Sequence, residues 1–316
     1  MLKSRTFNQV IILNGNTIRK SGTDRQKIVG EYTWMTSDTP FLHPKAFNLD
    51  IRDDATSYDM QYIHGRTLSE FYTEENLPVS KYEQLFGAIS DTLSDARDIR
   101  RDDEPEEGDR AKDDMVTAAL GLYEDKTCAR LAQAGIDLDT EYVLNGQRLP
   151  SLRKIIDDCK IDATDIDISV IHGDMCFSNI ILEDTYNYNT DGWTNIKDYL
   201  YYIDPRGVLP DGRLSIWGDR LYDIAKLAHS VVGMYDMIMC DKLRAYRIWE
   251  NEFAMNTKLS PYKSKVVGCF EDIFTRNAWI DRNIHLFLSM IPLHSESVDH
   301  QQTMLANALR LYLQKT

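Results

Sequence analysis

The chain has 316 residues, 43% hydrophobic and 27% charged, and its 50 acidic residues against 36 basic ones give a formal net charge of −14. At about 150 residues per domain this length suggests roughly two domains, enough chain to bury a core without disulfide or metal staples, and the ordinary composition excludes wholesale disorder. A strongly acidic surface repels phosphate backbones and anionic lipids, which argues against nucleic acid as a partner but leaves room for a local basic pocket that holds a nucleotide.

In chain order, NQVIIL (8–13) and TIRKS (17–21) flank Asn14-Gly15-Asn16, and Asn-Gly between short strands is a strong hairpin signal. DRQKIVGEYTWM (24–35) offers Asp24 as an N-cap, followed by apolar residues at helical spacing. TSYDMQYI (56–63) reads as a strand, His64-Gly65-Arg66 as a linker, and a polar helix follows from Thr67 or Leu68. The opening pattern is thus hairpin, helix, strand, linker. The stretch 81–99 carries apolar residues on one helical face, and RRDDEPEEGDRAKDD (100–114) is a charge-dense, solvated break. Helical spacing resumes over 115–134, and YVLNGQRLPSL (142–152) reads as a second Asn-Gly hairpin before a short helix. IDISVIHGD (166–174) is a buried strand entering a loop, NIILED (179–184) and NIKDYLYYID (195–204) are further strands, and after Gly218 the chain reads as helical nearly to its end. A small mixed lobe followed by a larger helical one is the simplest architecture, with a β-lined site between them carried by 166–216.

The five cysteines, Cys128, Cys159, Cys176, Cys240 and Cys269, are scattered and form no C-x-x-C, which points to a reducing, cytoplasmic setting rather than a disulfide framework. The apolar stretch Val10 to Leu13 is too short for a signal peptide. No uncharged apolar run approaches about 18 residues, so no membrane insertion is expected.

The informative stretch is His172-Gly173-Asp174-Met175-Cys176-Phe177-Ser178-Asn179, followed by a strand ending in Ile203-Asp204-Pro205-Arg206-Gly207. Phosphoryl transfer to an alcohol needs a carboxylate to orient or deprotonate the attacking hydroxyl, and hard oxygen ligands to hold Mg²⁺ on the nucleotide phosphates. Asn179 and Asp204 suit the second demand.

HGDMCFSN resembles the HGDxxxxN loop of the aminoglycoside phosphotransferase and choline kinase family, which has the protein-kinase-like fold. IDPRG stands where protein kinases have DFG, and GDRLYDIAKL (218–227) resembles the helix that follows in that family. The wording CFSN, IDPRG, GDRLYDIAKL and SVVG resembles in particular the phosphotransferase-like proteins of bacterial capsule and lipopolysaccharide gene clusters. The resemblance implies an α+β bilobal fold, with a β-rich nucleotide-binding lobe over 1–63 and a mainly helical catalytic and substrate lobe over 64–316. It further implies ATP and Mg²⁺ as cofactors and a small-molecule alcohol as acceptor: a sugar, an amino alcohol or a similar metabolite, in surface polysaccharide precursor synthesis. By the same resemblance Asp174 is the catalytic base, and Asn179 and Asp204 hold Mg²⁺. Lys20 reaches the α- and β-phosphates and Glu31 pairs with it. Gln61 to Ile63 form the hinge whose backbone holds adenine, and Asp223 braces the catalytic loop.

Each assignment has a structural alternative. Asp174 and Asp204 are also suitable turn residues and Asn179 a turn cap. Arg19 and Lys27 compete with Lys20, although strand alternation forbids Arg19 and Lys20 both facing inward. His172 reads as a loop-stabilising residue and Asp219 as a helix cap. Arg206 suits either a phosphate or anionic substrate or a structural salt bridge. Tyr222, His229, Tyr235, Asp236, Trp217 and Trp279 are candidate substrate-wall residues or helical core. No G-x-G-x-x-G occurs, so a phosphate cover is expected from Ser4 to Asn8 or from the Asn14-Gly15-Asn16 turn. The main rival reading is a non-catalytic, nucleotide-binding pseudokinase, which predicts a missing base or metal ligand.

Overall fold

The computed structural model describes residues 8–99, 108–186 and 195–315. β1 (Asn8–Asn14) and β2 (Thr17–Gly22) pair antiparallel across the expected turn, where Asn16 N donates to Asn14 Oδ1 at 2.9 Å. Helix α1 (Arg25–Thr36) begins at Asp24, whose side chain accepts from Lys27 N at 3.0 Å. β3 (Ala46–Ile51) and β4 (Thr56–Gln61) complete an antiparallel four-stranded sheet of order β1-β2-β4-β3. β3 is an addition to the expected pattern. Its register shifts between Phe47 and Asp50 and Asn48 sits at φ 56°, so the alternation that reveals a strand is broken.

The linker at 64–66 is in part a strand, β5 (Gly65–Thr67). Thr67 and Glu70 then form a reciprocal capping box at the start of α2 (Leu68–Glu74). The helices α3 (Val79–Asp98), α4 (Gly108–Leu120) and α5 (Glu124–Gln133) follow. Residues 100–107 of the charged break lie outside the described residues, and α4 starts inside that break, because charge density opposes burial rather than helix formation. The second Asn-Gly hairpin forms as expected: β6 (Glu141–Leu144) and β7 (Gln147–Ser151), then α6 (Leu152–Asp158). Four short strands follow, β8 (Ile168–Val170), β9 (Ile180–Glu183), β10 (Leu200–Tyr202) and β11 (Trp217–Asp219). β9 lies between β10 and β5, and β8 pairs with β11.

The stretch after Gly218 departs from expectation. It opens with α7 (Arg220–Val231) and α8 (Tyr235–Met239), but then forms a hairpin, β12 (Ala245–Trp249) and β13 (Glu252–Met255). β13 runs parallel to β6 and joins both hairpins in one four-stranded sheet of order β12-β13-β6-β7. That pairing is set by a distant partner strand, which local periodicity cannot report. α9 (Pro261–Ile273), α10 (Arg276–Met290) and α11 (Val298–Lys315) close the larger lobe. α10 packs against α7, α5 and α11 and is the centre of its core. Among the described residues no helix is long and apolar enough to cross a membrane.

Helix α1 belongs by sequence to the small sheet but is clamped to the larger lobe. Trp34, fully buried, donates its indole N–H to Ile171 O at 2.6 Å. Gly30 and Gly207 meet backbone to backbone: a Cβ on Gly207 would lie 2.0 Å from Gly30 O, and one on Gly30 would lie 2.3 Å from Val208 Cγ2. Glycine is required at both positions, and at Gly207 also by its φ of 62°.

Buried histidines set a pH limit on this fold. His285 Nε2 donates to Cys159 O at 3.0 Å and its Nδ1 faces the Thr127 hydroxyl at 3.1 Å, an arrangement for neutral imidazole. Burial pushes His285 down to about 4, against about 6.5 for a free histidine. The unfolded chain therefore takes up the proton first as pH falls. Stability is expected to be full above about pH 6.5 and to decline towards pH 4. In urea melts at pH 7 and pH 5, His285→Gln should show a smaller loss than the unsubstituted protein; an unchanged loss would exclude His285 as a contributor.

Candidate active site

The loop after β8 is built on a buried carboxylate. Asp223, in the first turn of α7, is fully buried and accepts from His172 N and Gly173 N, both at 2.7 Å. Burial raises its carboxyl to about 7 even against those two donors. Gly173 takes φ 79°, and a side chain there would strike Arg206 Cβ at 2.7 Å. His172 donates through Nε2 to Ile203 O at 2.9 Å, and burial pushes it down to about 4, so it acts as a neutral strut between two loops. Two main-chain bonds complete the frame, Arg206 N to His172 O at 2.8 Å and Ile203 N to Asn179 O at 2.9 Å.

That frame presents Asp174. Asn179 Nδ2 donates to Asp174 O at 2.9 Å and to its Oδ2 at 3.2 Å. Lys226 Nζ holds Oδ1 at 2.7 Å. Burial opposes the charge on Asp174, but Lys226 outweighs it and holds the carboxyl well below the usual carboxylate range. Asp204, at the end of β10, adopts φ 56°, a left-handed turn that aspartate tolerates better than most residues.

The third contribution comes from the small sheet. Lys20, 1% exposed, places Nζ 2.7 Å from Glu31 Oε2 and 2.5 Å from Asp204 Oδ1. Burial disfavours its charge, yet Asp204 and Glu31 more than compensate and hold the ammonium above its ordinary value. Glu31 is fully buried on α1 and also accepts from Tyr58 OH at 3.1 Å. Arg19 faces the other side of β2 and pairs with Asp59 at 2.7 Å, and Lys27 Nζ lies 3.8 Å from Glu31 Oε1 at the helix surface. The structure thus brings Lys20, Glu31, Asp174, Asn179, Asp204 and Asp223 into one connected region.

Several expected positions read differently. Gln61 N donates to Lys45 O at 2.9 Å and Tyr62 N to Asn16 O at 2.8 Å, so both are committed. Ile63 N has no hydrogen-bond partner among the described residues. The Asn14-Gly15-Asn16 turn is tied to the Gln61–His64 end of the sheet, where His64 Nε2 also donates to Gly15 O at 3.0 Å. It therefore sits away from Lys20, and the other proposed phosphate cover, Ser4 to Asn8, falls outside the described residues up to Phe7. His229, Tyr235, Asp236 and Trp279 are buried in the helical core and are not exposed substrate walls. Asp219 caps α7 through Leu221 N at 3.1 Å and pairs with Arg282 at 2.9 Å.

Sequence reasoning missed Lys226. Its signal was a lysine among the apolar residues of α7, one turn after Asp223 and so on the same face. It also missed Lys126 and Arg130 on α5. Arg206 Nη2 donates to Tyr222 OH at 2.8 Å, and Lys126 Nζ lies 3.5 Å from the same hydroxyl.

No family model matches this chain, and no curated protein matches it. Solved structures do. A thermostable mutant of aminoglycoside phosphotransferase APH(4)-Ia, in ternary complex with AMP-PNP and hygromycin B, aligns with a TM-score of 0.52 at 11% identity, covering 99% of this chain and 92% of that one. A second thermostable mutant of that enzyme, with ADP and hygromycin B, gives 0.50 at 10% identity over 99% and 92%. The GDP complex of an aminoglycoside 2′-phosphotransferase-IIIa mutant gives 0.50 at 12% identity over 99% and 91%. The chain has the fold of the aminoglycoside phosphotransferases, an α+β protein-kinase-like fold with a small β-rich lobe and a larger helical one.

Removing Asp223 strands two buried N–H donors. Asp223→Ala is expected to lower stability by about 1–3 kcal/mol, measured by chemical denaturation. Full stability would show that the loop does not depend on this carboxylate.

Proposed function

We propose that this protein is an ATP- and Mg²⁺-dependent phosphotransferase that moves the γ-phosphoryl group to a hydroxyl of a small polar metabolite. The observation that carries the reading is the convergence of two polar clusters in the cleft: Lys20 with Glu31 and Asp204, and Asp174 with Asn179 and Lys226. The solved structures that share this fold were determined with AMP-PNP, ADP or GDP, and two of them with hygromycin B. A pseudokinase would be expected to lack one of these polar groups, and all of them are present.

The donor set suits Mg²⁺. Asn179 spends its amide N–H on Asp174, and its Oδ1 accepts no hydrogen bond among the described residues. Asp204 gives one oxygen to Lys20 and keeps a half-exposed carboxylate towards the cleft. Both are hard oxygen donors, and a bound Mg²⁺ would neutralise charge on the phosphate oxygens. In this reading residues 1–63 form the nucleotide lobe and 64–316 the catalytic and acceptor lobe. Ile63 N meets adenine at the hinge beside Gln61, and Lys20 meets the α- and β-phosphates.

Asp174 faces the acceptor. Both its oxygens are engaged, and its basicity is depressed by Lys226. Such a group orients the hydroxyl and takes its proton late, as the new O–P bond forms and the bridging oxygen departs with ADP; a loose transition state asks for no stronger base. The motif wording supports a precursor of surface polysaccharide as the acceptor's setting, in the cytoplasm.

Asp174→Asn should lower turnover by about 10²–10⁴-fold with little change in nucleotide affinity. Asp204→Ala should weaken Mg·ATP binding as well as abolish turnover. Both are read by ADP release against a panel of alcohols and by titration of Mg·AMP-PNP. Equal nucleotide binding by the two variants would refute the separate roles, and nucleotide binding unaffected by Mg²⁺, with no alcohol turned over, would refute the activity.

A further inference from the structure

In a chain of net charge −14, the acceptor side of Asp174 is locally cationic. Lys126 and Arg130 from α5, Arg206 from the loop after β10 and Lys226 from α7 surround the fully buried Tyr222. Arg206 crosses Gly173 with its stem, and its guanidinium carbon lies 4.8 Å from the Tyr222 ring centre. Lys126 reaches the same hydroxyl from α5. Lys226 is paired with Asp174 and Asp223 is spent on the loop backbone. Among the described residues neither Lys126, Arg130 nor Arg206 forms an ion pair with a carboxylate; Arg130 is spent on Ser289 O at 3.0 Å.

Lys226 and Arg206 have Asp174 as a counter-charge, but Lys126 has no carboxylate partner among the described residues, and holding it beside Arg206 and Arg130 is costly. Burial first, and then the neighbouring Arg206, Arg130 and Lys226, push Lys126 down to about 8, with Tyr222 acting the other way. An anionic group placed between Lys126 and Arg206 relieves that cost.

We propose that the acceptor alcohol carries its own phosphate or carboxylate, bound by Arg206 and Lys126 beside Asp174. This rests on the phosphotransferase reading and adds the charge of the substrate to it. The triphosphate is a different occupant: Lys20, Asp204 and Asn179 serve it, while the heads of Arg206 and Lys126 end at α7.

The test compares matched alcohols in an ADP-release assay: glycerol, glycerate and glycerol monophosphate, then glucose, glucuronate and glucose monophosphate. An anionic member is expected to exceed its neutral twin by about tenfold or more in kcat/KM, and Lys126→Gln to remove most of that preference through the KM of the acceptor, with the KM of Mg·ATP unchanged. In parallel, inorganic phosphate titrated into the Mg·AMP-PNP complex should raise the melting temperature of the unsubstituted protein and not of Lys126→Gln. Equal use of neutral and charged twins overturns this inference and leaves the phosphotransferase reading standing. So does a variant whose ATP KM rises instead, or a phosphate titration without effect in a panel that shows no turnover. A protein that binds no Mg·AMP-PNP and transfers to no alcohol overturns both.

Discussion

A lysine without water must keep its counter-charges, and the architecture of the cleft follows from that requirement at Lys20. Its ammonium is almost wholly buried between Glu31 of α1 and Asp204 of the opposite lobe. Loss of Lys20 would leave Glu31, fully buried, without its nearest cation in a low-dielectric interior. The sheet, α1 and the loop after β10 are therefore coupled, and the glycine contact of Gly30 with Gly207 and the Trp34 bond to Ile171 hold them at the distance the ion triad needs. IDPRG stands where protein kinases have DFG, so a proline and not a phenylalanine follows Asp204.

The second support is α7. One face of this helix supplies Asp223, which carries the backbone of the loop, and Lys226, which sets the charge of the residue that the loop presents. Its next-door Tyr222 meets Arg206 from the loop after β10. The three side chains make the helix a common foundation for both loops, so a shift of α7 would move Asp174 and Arg206 together. The two aspartates show how environment divides their roles: Asp174 is drawn down by a cation, whereas Asp223 is pushed up by burial and answered only by N–H donors.

The local parts of this picture were legible in the sequence. Asn-Gly turns, the Asp24 cap and the Thr67 start of α2 are short-range effects, and the HGDxxxxN and IDP spacings carry the residues that meet in the cleft. Strand alternation narrowed the choice between Arg19 and Lys20 to one inward residue, and the structure turns Lys20 inward. What escaped depends on distant partners. β3 hides behind its bulge, and β12 and β13 exist as a sheet only because β6 lies beside them. Lys126 and Lys226 are ordinary helical lysines until the fold places them around Tyr222 and Asp174. The Asn14 to Asn16 turn lies against Tyr62 and His64, a contact between separate segments that local sequence does not report.

The central claim is that the Lys20 joint is a nucleotide-phosphate site and more than a structural rivet between lobes. The most direct measurement is calorimetric titration of Mg·AMP-PNP into the unsubstituted protein and into Lys20→Met, with circular dichroism to confirm that both are folded. The account predicts saturable one-to-one binding that weakens by about tenfold or more in the folded variant, the loss of a charge-assisted contact. Equal affinity in the two proteins, or no binding by the unsubstituted one, would contradict it.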